Sequence, residues 1–264
     1  TAVFALLSKA DTFNYVKITK GYYDELQDNL LLAQNSDSIY YNNLEVKMME
    51  ISNGAVVDSF TLPRVDLNNE GFVKDSGIFA QTPNYGYKFH KALNSDRRYR
   101  LKIKNLSNGK VIEGETEVIN HNQIIFQKPY INTQPLDFAV PTQTFDFAWS
   151  APATAVFFDV VLRFWYQEFN INTMITTRTY RDLTLIKNVL NNGAGGNATM
   201  SNSDFYRMLN SEVGVAPSFI TRRVDTADLM LITGGQVLKT YIDATTAQGG
   251  ITYDQIKPNY TNLK

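Results

Sequence analysis

The chain reads as mainly β, built from two immunoglobulin-like β-sandwich domains, the second carrying one or two short helices. Three observations predict this. Short runs rich in β-branched and aromatic residues recur along the chain and are bounded by turn residues. Asn-Gly dipeptides at Asn53-Gly54 and Asn108-Gly109 each sit between two such runs, the strongest short-range hairpin signal. The 264 residues include 16 Phe and 15 Tyr, enough apolar mass to fill a core in each of two domains.

Taken in order, Ala2–Ser8 and Phe13–Lys20 are short strands split by the turn Lys9-Ala10-Asp11. The polar stretch from Asp24 to Asn43 reads as a long excursion between strands, with room for a helical turn around Leu30–Ala33. Leu44–Ile51 and Ala55–Leu62 form the first hairpin, and Arg97–Asn105 and Lys110–Ile119 the second. Residues 1–127 make the first domain; the stretch 128–143, with Pro129, Pro135 and Pro141, reads as a linker. The second domain, 144–264, opens with strands Phe145–Ser150, Val156–Phe169 and Met174–Lys187. Asn191–Asn197 (NNGAGGN) reads as a flexible loop. A helix is predicted over Ser203–Val213, capped by Ser201 or Ser203 and stopped at Gly214. Phe219–Ile232 returns to strand, Gln236–Ala244 is a second short helix, and Thr252–Lys264 is a polar, extended tail.

Composition narrows the chemistry. The formal net charge is -1, so nothing draws the whole chain to nucleic acid or an anionic surface. The absence of Cys excludes disulfides, thiolate zinc sites, iron–sulfur clusters and a Cys nucleophile. It suits a reducing cytosol or an envelope protein that is stable without staples. No apolar run approaches the roughly 20 residues of a membrane span. The chain opens directly on a strand-like run with no initiator Met, the pattern of a processed N-terminus.

One local charge stands out. Arg98, Arg100, Lys102 and Lys104 share one face of a strand, and Tyr99, Leu101 and Ile103 the other. A two-residue turn at Asn108-Gly109 would set Lys104 against Glu113, Lys102 against Glu115 and Arg100 against Glu117. A phosphate groove needs uncompensated cations, so the row reads as a charged ladder worth about 0.2–1 kcal/mol per pair.

Candidate sites are few. His90 and His121 are the only histidines, one at a strand end and one in a loop. No nucleophile elbow, zincin helix or phosphate loop is present. In DLNNEGFVKDSG, Asp66, Asn68 and Glu70 alternate and Gly71 follows, as in the first half of a calcium loop. Gly77 stands where the closing Glu belongs, so a solvated strand connection is the competing reading and no cofactor beyond calcium is expected. In FDVVLRFWYQEF, Phe158, Val160, Leu162, Phe164 and Tyr166 point to a core. Val161, Arg163, Trp165 and Phe169 point the other way, towards a helix or a partner. Trp165 is the ligand candidate, able to stack on a sugar ring, against the alternative of packing between layers.

Three stretches carry a family resemblance: TAVFALLSKADTFNYVKITKGYY, GIFAQTPNYGYKFHKALNSDRRYRLKIKNLSNGKVIEGETEVI and DLMLITGGQVLKTYIDATTAQGGITYDQIKPNYTNLK. They resemble Bacteroidota cell-envelope lipoproteins of unknown function with immunoglobulin-like β domains. The resemblance implies a lipid anchor upstream of Thr1, a place at the outer membrane, facing the cell surface, and no catalysis. It also implies a β-barrel partner, a TonB-dependent receptor or an assembly or secretion machine, and a further Gly-rich strand beyond Lys264. Proteins of that phylum are O-glycosylated at Asp-Ser/Thr-hydrophobic triplets. Asp37-Ser38-Ile39 and Asp225-Thr226-Ala227 match, which makes Ser38 and Thr226 candidates, although such triplets also arise by chance. An extracellular ligand- or glycan-binding module using Trp165 is the alternative function.

Overall fold

The structure, a computed structural model, describes residues 1–21, 28–95, 97–129 and 140–247. Most of the expected linker and the expected tail Thr252–Lys264 lie outside the described residues. The chain divides into two units, Thr1–Val118 and the part from Ile119 onward, ahead of the boundary expected at residue 127. The reason is local. Residues 125–128 pair with a strand of the second unit, so they belong to that sheet and not to the first domain or the linker.

In the first unit, β1 (Ala2–Leu6), β2 (Asn14–Thr19), β5 (Arg64–Asp66) and β6 (Tyr85–Phe89) form a sheet in the order β1-β2-β6-β5. Facing it are β3 (Leu44–Ser52), β4 (Ala55–Thr61), β7 (Arg98–Asn105) and β8 (Val111–Glu117), in the order β4-β3-β7-β8. This is the immunoglobulin arrangement ABED over CFG, with an extra strand C′ beside C. Alternation puts Val16, Ile18, Val46, Met48, Tyr99, Leu101 and Ile103 into one shared core. The excursion between β2 and β3 holds two short helices, α1 (Asn29–Gln34) and α2 (Ser36–Ile39), capped by the side chains of Asp28 and Asn35.

The first hairpin forms as its dipeptide requires. Asn53 and Gly54 both take positive φ, 49° and 80°, the signature of a type I′ turn. The second departs from expectation by two residues. Arg98 faces Glu117, Arg100 faces Glu115 and Lys102 faces Glu113, while Lys104 faces Val111. Asn105 explains the shift. Its carbonyl accepts from Gly109 N at 2.8 Å, its N–H donates to Lys110 O, and its side chain accepts from Ser107 N. The loop therefore spans Leu106–Gly109, and of these residues only Gly109 is left-handed, at φ 72°. A shift of two keeps every side chain on its expected face and moves each carboxylate one rung. On the other side Lys104 faces Glu45 of β3, while Lys102 faces Lys47 and Arg100 faces Met49, so β3 adds a single carboxylate to the border of the row. Lys102 meets Glu113 at 3.1 Å, and Arg98 reaches both Glu115 and Glu117. Hydrogen bonding to Lys47 holds the Glu45 carboxyl below its ordinary range, with Lys104 and Lys102 adding to the effect. A double-mutant cycle on Arg100 and Glu115 is expected to give a coupling of about 0.5–1 kcal/mol. The same cycle on Arg100 and Glu117 should give close to none, and equal couplings would overturn this register.

The second unit contains β9 (Ile125–Lys128), β10 (Thr144–Ser150), β11 (Phe157–Asn170), β12 (Ile175–Leu190), β13 (Gly195–Ser201) and β14 (Ile220–Gly234). The sheets run β13-β10-β9 and β12-β11-β14. In chain order this is A and B, then C and C′, then E, then F of the same fold. Among the described residues no strand fills the places of D or G. β13 starts inside the stretch expected to be a loop. Glycine is required there by the close approach of Trp149: an added Cβ at Gly196 would lie 2.7 Å from the indole. Phe147, Trp149, Phe158, Val160, Leu162, Leu183 and Met200 fill the core.

Two helices complete the unit. α3 (Asn202–Val213) begins where Ser201 Oγ accepts from Asp204 N at 3.1 Å and ends at Gly214, φ 64°. Its Phe205 packs edge-on against Phe164, on the core side of β11. α4 (Gln236–Ala247) follows β14 after one residue. No helix among the described residues is long and apolar enough to cross a membrane.

Candidate functional site

The calcium candidate opens into separate contacts. Residues Leu67–Glu70 form a 3-10 turn whose cap is Asp66: its Oδ1 accepts from Asn68 N at 3.1 Å and from Asn84 N at 3.0 Å. Asn68 Nδ2 donates to Gln81 O. Glu70 accepts from Tyr15 OH at 3.1 Å and is ion-paired with Lys88. The hydrogen bond from Lys88 holds the Glu70 carboxyl below its ordinary range. The Asp66 and Glu70 carboxylates thus each have protein partners, whereas Asn68 Oδ1 is buried without a hydrogen-bond partner among the described residues. No group of three or more His, Asp or Glu gathers to hold a metal among the described residues.

Lys88 also borders a surface groove of about 420 Å³ beside Phe13, Phe60, Phe89, His90 and Lys91. Its two ammonium groups lie over rings, Lys88 at 4.0 Å from Phe13 and Lys91 at 4.9 Å from Phe60. Lys91 bridges Glu50 and Asp58, two carboxylates facing each other across β3 and β4. Without that bridge the like charges would repel. Asp58 is held below the usual carboxylate range by Lys91. The groove's cations are already compensated. His90 belongs to the first unit and His121 to the second.

Trp165 lies on the outer face of β11, and α3 covers the opposite, core face. The helix does not cover Trp165, which packs within a raft of neighbouring side chains. The Arg178 guanidinium sits 4.0 Å from the ring centroid and Tyr180 packs at 4.7 Å. The indole N–H donates to Asp228 Oδ2 at 2.8 Å. Beside it Arg163 makes a two-bond fork with Asp182, which holds that carboxyl low. β14 bulges opposite Trp165, where its register with β11 slips by one residue at Asp225 and Thr226. A sugar stacking on Trp165 would have to displace Arg178, which Asp225 holds in place at 2.6 Å. Of the two glycosylation candidates, Thr226 is exposed on this bulge and Ser38 is half-buried in α2.

One surface escaped the sequence reading. Strands of 14 to 16 residues, β11, β12 and β14, run past the core, about 45 Å at the usual rise for β11 alone. At their far end Asn170 builds the turn: its Oδ1 accepts from Asn172 N and Thr173 N, and its carbonyl accepts from Met174 N. Met174 takes φ 58°, uncommon outside glycine. The turn leaves Met174 74% and Ile175 60% exposed, beside Ile171 and Phe219, which are joined by a backbone hydrogen bond. Apolar residues at the tip of a long hairpin gain nothing from that position in water, and grouped exposure of this kind marks contact sites. The signal was in the sequence as INTMI, a polar turn flanked by Ile and Met with no charge.

No protein-family model and no curated protein matches the chain. Among solved structures it is similar to the C-terminal globular domain of an oligosaccharyltransferase from Pyrococcus abyssi, with 9% identity and a TM-score of 0.26. The match covers 85% of this chain and 43% of that one, so the chain spans less than half of that structure's length.

Proposed function

We propose that this chain is a non-enzymatic accessory subunit that docks on a larger β-barrel complex of the outer membrane. In this reading it is held at the cell surface by a lipid anchor on its N-terminal side. The single observation that carries the docking part is the apolar tip of the β11–β12 hairpin, set on a stiff ribbon beyond the core. The family resemblance supports the compartment and the β-barrel partner, a TonB-dependent receptor or an assembly or secretion machine.

The test is purification of the tagged protein from native membranes under mild detergent, with a Met174→Asp, Ile175→Asp double variant beside it. The wild type should bring down a β-barrel protein. The variant should retain its fold, because both side chains are exposed, and recover at least about 10-fold less partner, as expected for loss of a central apolar anchor. Recovery of the wild type as a lone monomer would sink the reading.

A further inference from the structure

We infer that the free edge of β14, over Ala227–Thr233, accepts an extended strand donated by a partner protein, in the place that β8 fills in the first unit. The inference takes from the docking reading only that the donor is a protein; its site is distinct from the hairpin tip.

The two units have the same strand logic, so each is a control for the other. β7 of the first unit lies between β3 and β8, and its inward side chains Tyr99, Leu101 and Ile103 are buried. β14 occupies the equivalent place in the second unit but pairs with β11 alone among the described residues. Its inward Leu229 and Leu231 pack on the core yet stay half-buried, while the residues they face on β11, Leu162 and Val160, are 1% and 0% exposed. Among the described residues the core is closed on the β11 side and open on the far side of β14.

That edge also lacks the usual guards. Exposed edges are blunted by charge, proline, bulges or brevity. β8 carries Glu113, Glu115 and Glu117, and β12 carries Arg178, Arg181, Asp182 and Lys187 with two breaks in register. From Ala227 to Thr233 there is no Lys, Arg or Pro. The single charge, Asp228, is tied back across the sheet to Trp165. The bulge at Asp225–Thr226 marks one end of the open stretch.

The chain does not close this edge by a local hairpin. β7 returns as β8 through the loop Leu106–Gly109, whereas β14 passes through Gly235 straight into α4. The junction is tight, since a Cβ on Gly234 would lie 2.6 Å from Phe157 and 2.7 Å from Leu238. A second copy pairing edge to edge would bury only a narrow strip, well short of the ~1,200 Å² of a stable interface. An inserted strand gains main-chain bonds along about 23 Å and drives alternate side chains into the sandwich. It must be apolar at alternate positions to cover Leu229 and Leu231. It must be uncharged on the other face, where Met230 and Ile232 lie.

Hydrogen exchange on the full chain tests this, with a short synthetic peptide of alternating Val and Thr, capped by Lys at each end, as probe. In the free protein, the alternate amides of Ala227–Thr233 that point away from β11 should exchange at least about 10-fold faster than those of β7, and excess peptide should slow them by about as much. The β4, β8 and β12 edges should not respond. Met230→Lys and Ile232→Lys place charges on the outward face and should weaken peptide protection about 10-fold with an unchanged melting temperature. Three outcomes overturn the inference: strong protection of these amides in the free chain, which means its own residues cover the edge; a dimer in solution that Met230→Lys dissolves; or no protection by the peptide. If a β-barrel copurifies equally with wild type and both Lys variants, the inference fails and the docking reading stands. If no partner copurifies yet the peptide protects β14, the docking reading fails and the inference stands.

Discussion

Gly195→Ala is expected to lower the stability of the second unit by about 3–5 kcal/mol, combining overpacking against fixed atoms with backbone strain. An added Cβ would lie 2.0 Å from Trp149 O and 2.8 Å from Ser150 Cα, and φ is 144°. Both neighbours are backbone of the paired strand β10, so no rotamer change relieves the contact. Unit stabilities run to about 5–15 kcal/mol, so one methyl group would remove much of the margin. Urea unfolding followed by tryptophan fluorescence is the measurement. Trp149 and Trp165 both lie in this unit, so the signal reports it selectively. Gly193→Ala is the control: its φ is 99° but nothing lies within 4 Å of the added Cβ. It should cost about 1 kcal/mol, the strain of the backbone alone. Equal losses at the two positions would show that the approach to Trp149 is not what requires Gly195.

Phe158→Ala is the second large effect. The ring is 0% exposed and 5.3 Å from Trp149, at the centre of the core. Truncation removes the transfer energy of the ring and leaves a cavity, for a loss of about 3–5 kcal/mol. The emission of Trp149 should change with it. Leu190→Ala, at the 61% exposed end of β12, should cost under about 0.5 kcal/mol by the same assay. A small loss at Phe158 would mean that the two sheets collapse to refill the space.

Much of this architecture was legible because hydrophobic alternation, hairpin dipeptides and helix caps are local. The β3–β4 hairpin, the face assignments of β7 and β11 and the span of α3 all follow from residues within a few positions. The failures come from competition or from distance. Asn-Gly serves both a two-residue and a four-residue loop, and the Asn105 side chain decides between them. β13 was hidden because its glycines, poor strand formers, answer to Trp149 on another strand. β9 was hidden beside prolines. At the candidate sites the sequence did not show the partners of the side chains. Glu70 turned to Lys88, and Trp165 to Arg178 and Asp228, contacts that no spacing rule encodes.

The long ribbon of β11, β12 and β14 also has a mechanical meaning. A pull applied at the Ile171–Ile175 tip along the strands would load the hydrogen bonds between β11 and β14 in shear, many at once, instead of opening them one by one. Such a geometry resists extension. A tether gripping that tip would pass its tension into the Phe158–Leu162 core with little stretch, so the hairpin would act as a handle as well as a contact.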